Sequence, residues 1–286
     1  MGFRSVRELA DSISESGRDW ISHYHRASAP SNWGQYRFAD FTMGGGTPKY
    51  NAYVGSQLEA TPLVGSGNNG IYCGPTPPTG MTKHLINWQQ RIGDANFAGG
   101  IFYLLDYLMF YPLIDGDSTD DQIMDNTATI PRYSGGQVML VCTTPISASA
   151  SVTVNYTSDK GVVQAKMFTI EAQSVAGGLV NSPKVAATPG RIPFMTLQDG
   201  DTGVSQINSV TLSTPCGGFF AAVIVEPLAL LSMLTGPQQL TEKNMMRHQP
   251  ALPRIMDGAY LGIIGSNGGA SQAVVPMTGH LHFAWG

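Results

Sequence analysis

Charge is what this sequence has least of. Charged residues make up 13% of the 286, about half of the roughly 25% usual in a soluble globular protein. Only 6 Lys and 6 Glu occur and the net charge is −4, so no Lys/Arg-rich face is available to displace counterions from phosphates, and no nucleic-acid partner is expected. The long flexible side chains that solvate a monomer are scarce. Ser, Thr, Asn and Gly must cover much of the surface, which suits permanent contact with other subunits, an ordinary low-charge β-protein being the alternative.

Cysteine is nearly absent too. Cys73, Cys142 and Cys216 make an odd number without a C-x-x-C pair, which argues against a disulfide framework or a cysteine zinc site and for folding in a reducing cytoplasm. No apolar stretch follows Arg4 and Arg7, so no secretory signal peptide is expected. The most membrane-like segment, Phe219 to Leu234, has 16 residues and contains Glu226 and Pro227, short of the roughly 18 to 20 that a membrane span needs. It is expected to form a buried strand, a turn and another apolar element, with no membrane partner.

Glycine (34) and proline (18) are plentiful, and 42% of residues are hydrophobic. Such a chain is neither a helical bundle nor a disordered acidic tail, and without a strict three-residue glycine period it is not collagen-like. Ser5-Val6-Arg7-Glu8 fits a capping box, so an amphipathic helix should begin there. Val6, Leu9, Ile13, Trp20, Ile21 and Tyr24 fall near one face at three-and-four spacing, and the helix should end before Pro30. Its apolar face, Val6, Leu9, Ile13, Trp20 and Tyr24, either packs on its own domain or docks in a groove of a neighbouring subunit. Residues 28–80 hold 16 Gly or Pro and read as an extended arm over the chain's own core or a partner. Met81 to Ile92 offers a brief helix with Leu85, Trp88 and Ile92 on one side. Ile101 to Ile114 is apolar apart from Asp106 and Pro112, and its aromatics favour a strand.

From about Gly136 the grammar is strand and turn. Strands are expected at Gln137–Thr144, Ser151–Thr157, Val162–Ile170, Ile207–Ser213, Phe219–Val225, Ala259–Ile264 and His280–Trp285, with a hairpin turn at Ser158-Asp159-Lys160-Gly161. The expected fold is mainly β, an antiparallel sandwich of jelly-roll or immunoglobulin-like type. It is preceded by the helix and the Gly/Pro-rich arm, so that residues 1–92 and 93–286 form two regions.

Few motifs carry chemistry. Gly65-Ser66-Gly67-Asn68-Asn69-Gly70 matches G-x-G-x-x-G, but the Ile-Tyr-Cys-Gly-Pro that follows cannot start the helix a dinucleotide site requires. Between Ile92 and Pro131 lie seven aspartates and no Lys or Arg. Five of them, Asp115, Asp117, Asp120, Asp121 and Asp125, fall in or beside a loop whose spacing approaches that of a calcium loop. Asp120 nevertheless stands where that turn needs Gly, and Asn126 where it needs the bidentate Glu. A solvated loop, a contact with basic groups of a partner, and a cation site are the three readings. His280 and His282 alternate on a strand like half a zinc site with no third ligand in view, whereas His23 and His25 on a helix would diverge. No metal ligand set and no cofactor site is expected. The nucleophile elbow is missing at Ile264-Gly265-Ser266-Asn267-Gly268, so no enzyme activity is expected either.

Tyr111-Pro-Leu-Ile-Asp-Gly-Asp117, Thr119-Asp-Asp-Gln-Ile-Met-Asp-Asn126 and Thr129-Ile-Pro-Arg-Tyr133, together with Asp257-Gly-Ala-Tyr-Leu261 and Ala284-Trp-Gly286, resemble an uncharacterised family encoded among the structural genes of tailed double-stranded DNA bacteriophages. The resemblance runs from about Tyr103 onward and transfers no functional residue. It implies a virion component assembled in the host bacterial cytoplasm, foremost a capsid decoration (cement) protein on the capsid surface. Such a protein would contact itself, as a homo-oligomer and foremost a trimer, and the major capsid protein or other virion proteins. A tail, neck or receptor-binding component is the alternative. From a different class comes a carbohydrate-binding β-module with Trp33, Tyr36 or Trp88 as stacking platforms.

Overall fold

The computed structural model describes residues 3, 5–14, 17–27, 37–66, 69–93, 99–181, 193–233, 239–248, 251–266 and 276–286. It is mainly β, with antiparallel strand pairing and one short N-terminal helix, α1 (Val6–Ser14). The strands, in chain order, are β1 (Asp19–Arg26), β2 (Phe38–Asp40), β3 (Gly46–Thr47), β4 (Thr61–Pro62), β5 (Lys83–Ile92), β6 (Gly100–Asp115), β7 (Gln122–Ile123) and β8 (Gln137–Thr144). They continue with β9 (Ala150–Ser158), β10 (Val163–Ile170), β11 (Val204–Leu212), β12 (Phe219–Met233), β13 (Leu240–Asn244), β14 (Arg254–Ile255), β15 (Leu261–Ser266) and β16 (Met277–Trp285). A single turn of helix, α2 (Met245–His248), follows β13.

Three sheets form. The first has the order β13-β5-β16-β1-β3, the second β10-β9-β11-β7, and the third β2-β15-β6-β12-β8. The third is central. One half of it, carrying Phe102, Leu104, Leu231 and Ile263, shares a core with Leu85, Trp88, Leu281 and Phe283 of the first sheet. Its other half, carrying Leu108, Leu140, Ala222 and Ile224, shares a second core with Val152, Val154, Ile207 and Val210 of the second sheet. The opposite face of the central sheet, with Phe38, Leu105, Tyr107, Val141 and Val223, is covered by Tyr53, Leu179 and Phe194. So the described part of the Gly/Pro-rich stretch lies over the chain's own core. Strands β1 and β5, from residues 1–92, share the first sheet with β13 and β16.

Burial of β6 and β12 on both faces explains why they read as unbroken apolar runs without a period. The strand favoured for Ile101 to Ile114 is the middle of β6. The strand, turn and further element expected from Phe219 to Leu234 are instead one strand, β12, up to Met233. Register shifts against β6 between Ile224 and Val225 and between Pro227 and Ala229 let Pro227 sit in the strand at a bulge. The hairpin β9–β10 and the strand β8 fall where the sequence placed them.

Two helical expectations fail for identifiable reasons. The N-terminal helix begins as its capping signal requires, with the Glu8 amide donating to Ser5 Oγ at 3.1 Å, but it ends at Ser14, and Gly17 at φ +86° turns the chain. Trp20, Ile21 and Tyr24 therefore lie on β1, where the period is two. The expected helix Met81–Ile92 is the strand β5. Phe283 of β16 pairs with Leu85 and His282 with Asn87, leaving Ile86 as an extra residue. That bulge changes the parity of the strand, so Leu85 and Trp88 both point into the core three residues apart, a spacing that imitates a helix.

Candidate functional site

The five residues expected to form one docking face separate in space. Leu9 is buried and, with Ile13, packs on Ile86 and Ala284 of the first sheet, while the Ser12 hydroxyl donates to the Trp285 carbonyl at 2.7 Å. The helix is thus fastened to its own chain, with Val6 left exposed. Trp20 is exposed on β1, edge-on to Tyr72. Tyr24 lies inside, its hydroxyl accepting from Trp88 Nε1 at 2.8 Å and donating to Gln90 Oε1 at 3.1 Å. Burial pushes this phenol far above its ordinary range. Trp88 is wholly buried and cannot stack on a sugar; Trp33 and Tyr36 lie outside the described residues.

The acidic loop is built from turns. Asp115 Oδ1 accepts the Asp117 amide at 2.8 Å, and Asp125 Oδ1 the Thr127 amide at 2.9 Å. Asp121 Oδ1 takes the Thr211 hydroxyl at 2.9 Å, and the Asp120 amide donates to Ser118 Oγ at 3.3 Å. The loop is pinned where the Gly116 amide donates to the Gly218 carbonyl and its carbonyl accepts from the Cys216 amide. A side chain at Gly116 would strike the Gly217 carbonyl. Asp115 and Asp125 thus turn to amides of their own loop, while Asp121 reaches across to β11. Among the described residues no group of three His, Cys, Asp or Glu side chains is placed to hold a metal ion.

The histidines are arranged differently from the expectation. On β1 rather than a helix, His23 faces outward and is the direct cross-strand partner of His280, with ring centroids 5.7 Å apart. His282 Nε2 lies 3.2 Å from Asp19 Oδ2. Burial lowers the pKa of His280, and the neighbouring His23 and His282 lower it further. The matched His-x-His at residues 23–25 and 280–282 is a period-two signal that could have revealed this pairing.

Two buried polar networks were not anticipated. In the row of β6 side chains facing the cores, Leu104 belongs to one core and Leu108 to the other; Asp106 stands between them, at the seam. Arg132 Nε and Nη2 donate to its two carboxylate oxygens at 2.9 and 2.7 Å, and the Tyr260 amide adds a third bond at 2.9 Å. Arg132 Nη2 also reaches the Leu63 and Tyr107 carbonyls. It thereby fills the interval along one edge of β6 between the end of β15, paired up to Asp106, and the start of β4, paired from Met109. Across the other edge Glu226 is the register partner of Asp106. Burial first and the Asp106 charge second push the Glu226 carboxyl up to about 7. The second network surrounds Asp40, which is fully buried. Its carboxylate accepts from the Thr42 amide at 2.8 Å, the Thr42 hydroxyl at 2.7 Å, Tyr107 OH at 2.9 Å and Tyr53 OH. Desolvation raises the Asp40 pKa against these donors. Tyr53 and Tyr133, beside the two networks, both hold left-handed backbone at φ 50° and 63°, a strain that non-glycine residues bear where the surroundings fix them. Asp106 stood out in its apolar run; nothing in the sequence marked Asp40.

Asp106 and Asp40 each accept at least three hydrogen bonds within these networks. A depression of about 700 Å³ is lined by Gly46, Thr47, Pro48, Lys49, Tyr50, Ser66 and Asn69, with Lys49 and Tyr50 as its titratable groups.

The most uniform surface is the outer face of the second sheet. Registers place Val163, Ala165, Met167 and Thr169 of β10 beside Thr157, Asn155, Thr153 and Ser151 of β9. Gln206, Ser209 and Thr211 of β11 follow, and then Ile123 of β7. None of these residues is charged. Val163 and Met167 are each 69% exposed at one edge and Ile123 is 71% exposed at the other; Asp121, held by Thr211, stands at the rim.

The described residues define the class by fold: a mainly β protein of three antiparallel sheets. No protein-family model matches the chain, and no curated protein does. Among solved structures, particles of infectious bursal virus align over 93% of this chain and 77% of their own, at 9% identity and a TM-score of 0.20. A mutant VP2 protein of infectious bursal disease virus, in derived T=1 particles, aligns over the same shares at 7% identity and 0.17. Overlaps at these scores carry no argument about this chain. No described helix is long and apolar enough to cross a membrane.

Proposed function

We propose that this protein is a structural component of a bacteriophage virion, foremost a decoration protein of the capsid, acting by adhesion between subunits. The observation that carries the reading is the uncharged outer face of the second sheet, with Val163, Met167 and Ile123 exposed on it. A solitary soluble protein normally blunts an edge strand and its face with charge, because an apolar row beside uncharged hydroxyls and amides is a contact surface. Covering that face with a second copy or with the shell removes the exposed apolar area from water and buries no charge. The resemblance to phage structural genes supports the same assignment; the packing of Leu9 and Ile13 of α1 on the chain's own sheet favours the outer face of the second sheet over the helix as the adhesive surface.

The test is to place charge on that face. Val163→Asp combined with Met167→Asp changes two outward side chains and should leave the fold intact by circular dichroism. Self-association in sedimentation, and the number of copies retained on purified particles, should fall sharply. Unchanged association with unchanged particle content would refute the reading. Gel densitometry separates the positions in a virion: a copy number comparable to that of the shell subunits indicates decoration, and a handful per particle indicates the neck or tail.

A further inference from the structure

Lys83, the first residue of β5, is 1% exposed. Its Nζ donates to the Gly74 carbonyl at 3.2 Å, lies 3.9 Å from Cys73 Sγ and sits 5.7 Å from the centre of the Trp285 ring. A buried ammonium held by one carbonyl and one aromatic face, with a thiol as its next neighbour, is an uncommon arrangement. Cys73 is itself buried but only one residue beneath the surface, since Tyr72 and Pro75 on either side of Cys73-Gly74 are exposed. The other two thiols differ: Cys142 Sγ faces the Thr144 carbonyl at 3.2 Å and Cys216 Sγ the Gly217 carbonyl at 3.9 Å.

We propose that Cys73 and Lys83 close a reversible sulfur–nitrogen crosslink when the protein meets a peroxide. Hydrogen peroxide oxidises the thiol to a sulfenic acid, one oxygen passing to sulfur and one molecule of water leaving. The Lys83 amine, having given its extra proton to water, then attacks that sulfur. The S–O bond breaks, the S–N bond forms, and the hydroxyl leaves as water with one amine hydrogen. Condensation of a sulfenic acid with a backbone nitrogen is an established branch of cysteine oxidation, and here the side-chain nitrogen lies 3.9 Å from the sulfur. Two molecules of an external thiol reverse it, becoming a disulfide as Cys73 and Lys83 are restored. The product tethers the loop around Cys73 to the start of β5 and uses nothing from the adhesive face.

Burial raises the Cys73 thiol above its ordinary value while the Lys83 charge opposes the rise. Peroxide reacts with thiolate, so closure should accelerate as pH rises, and keep accelerating above the ordinary thiol range.

The experiment treats the full-length native protein with hydrogen peroxide and maps it by mass spectrometry without reduction. Closure lowers the intact mass by two hydrogens, abolishes tryptic cleavage after Lys83 and yields a linked peptide containing both residues; added thiol restores cleavage. Cys73→Ala, a small change beside a loop, should keep cleavage after Lys83 under the same treatment. Cys73 found as sulfinic acid with Lys83 still cleaved would overturn the proposal, as would a disulfide to Cys142 or Cys216. The measurement on the unmutated protein decides the matter even if the variant folds poorly.

Discussion

Replacing Glu226 by Gln tests the seam between the two cores. Glu226 faces Asp106 across β6 and β12, and its carboxyl is pushed from an ordinary 4.5 up to about 7, by burial first and by the Asp106 charge second. A carboxyl that holds its proton more tightly when folded stabilises the fold fully below its unfolded pKa. That contribution is lost as pH rises through the folded value, so the window runs from 4.5 to about 7. Taken whole, the shift corresponds to about 3 kcal/mol. The side chain is only partly enclosed, and screening by water reduces the figure to roughly 1–2 kcal/mol. Gln has the same shape and never ionises. Glu226→Gln should therefore match the parent near pH 4 and be more stable by about 1–2 kcal/mol near pH 8, a gain of several degrees in melting temperature. Asp106 is present in both proteins, so its own titration largely cancels in the comparison. Urea unfolding of both proteins across this range measures the difference directly. A constant offset at every pH, or a variant that is less stable near pH 8, would show that the carboxylate is not strained by its site.

Other substitutions follow from the same contacts. Arg132→Ala leaves Asp106 buried without its ion pair and should cost about 3–5 kcal/mol by denaturant unfolding, whereas loss of under 1 kcal/mol would mean water reaches the site. Tyr107→Phe removes one donor from buried Asp40 and should cost roughly 1–3 kcal/mol, with little change in secondary structure. Deleting residues 1–14 uncovers Ile86 and Ala284, so thermal stability should drop while copies on the particle are retained; the reverse pattern would return the helix to a docking role.

Much of the fold was legible because its signals were local. Turn chemistry around Gly161, β-branched runs and the Ser5 cap each act within a few residues, and the elements they define are found in place. What misled were features that depend on a partner strand. The bulge at Ile86 exists only in register with β16, and it converts a strand into an apparent three-residue period. Pro227 looks like a breaker until its bulge against β6 is known. The N-terminal helix was overextended because Trp20 and Tyr24 continue its spacing by coincidence while their real neighbours, Phe283 and Gly279, lie at the far end of the chain. Of the site features, the acidic run was visible as composition, but only the turns of residues 115–127 show where its carboxylates go. The uncharged face emerged last, since it is assembled from four strands whose order the sequence does not display.

Strands β6 and β12 run side by side from Gly100 to Asp115 and from Met233 to Phe219, through both cores. Pulling the first sheet away from the second would therefore load these strands lengthwise, with the rungs of their shared ladder resisting in parallel rather than parting one after another. Force applied between the two outer sheets would thus meet this spine rather than a flexible hinge.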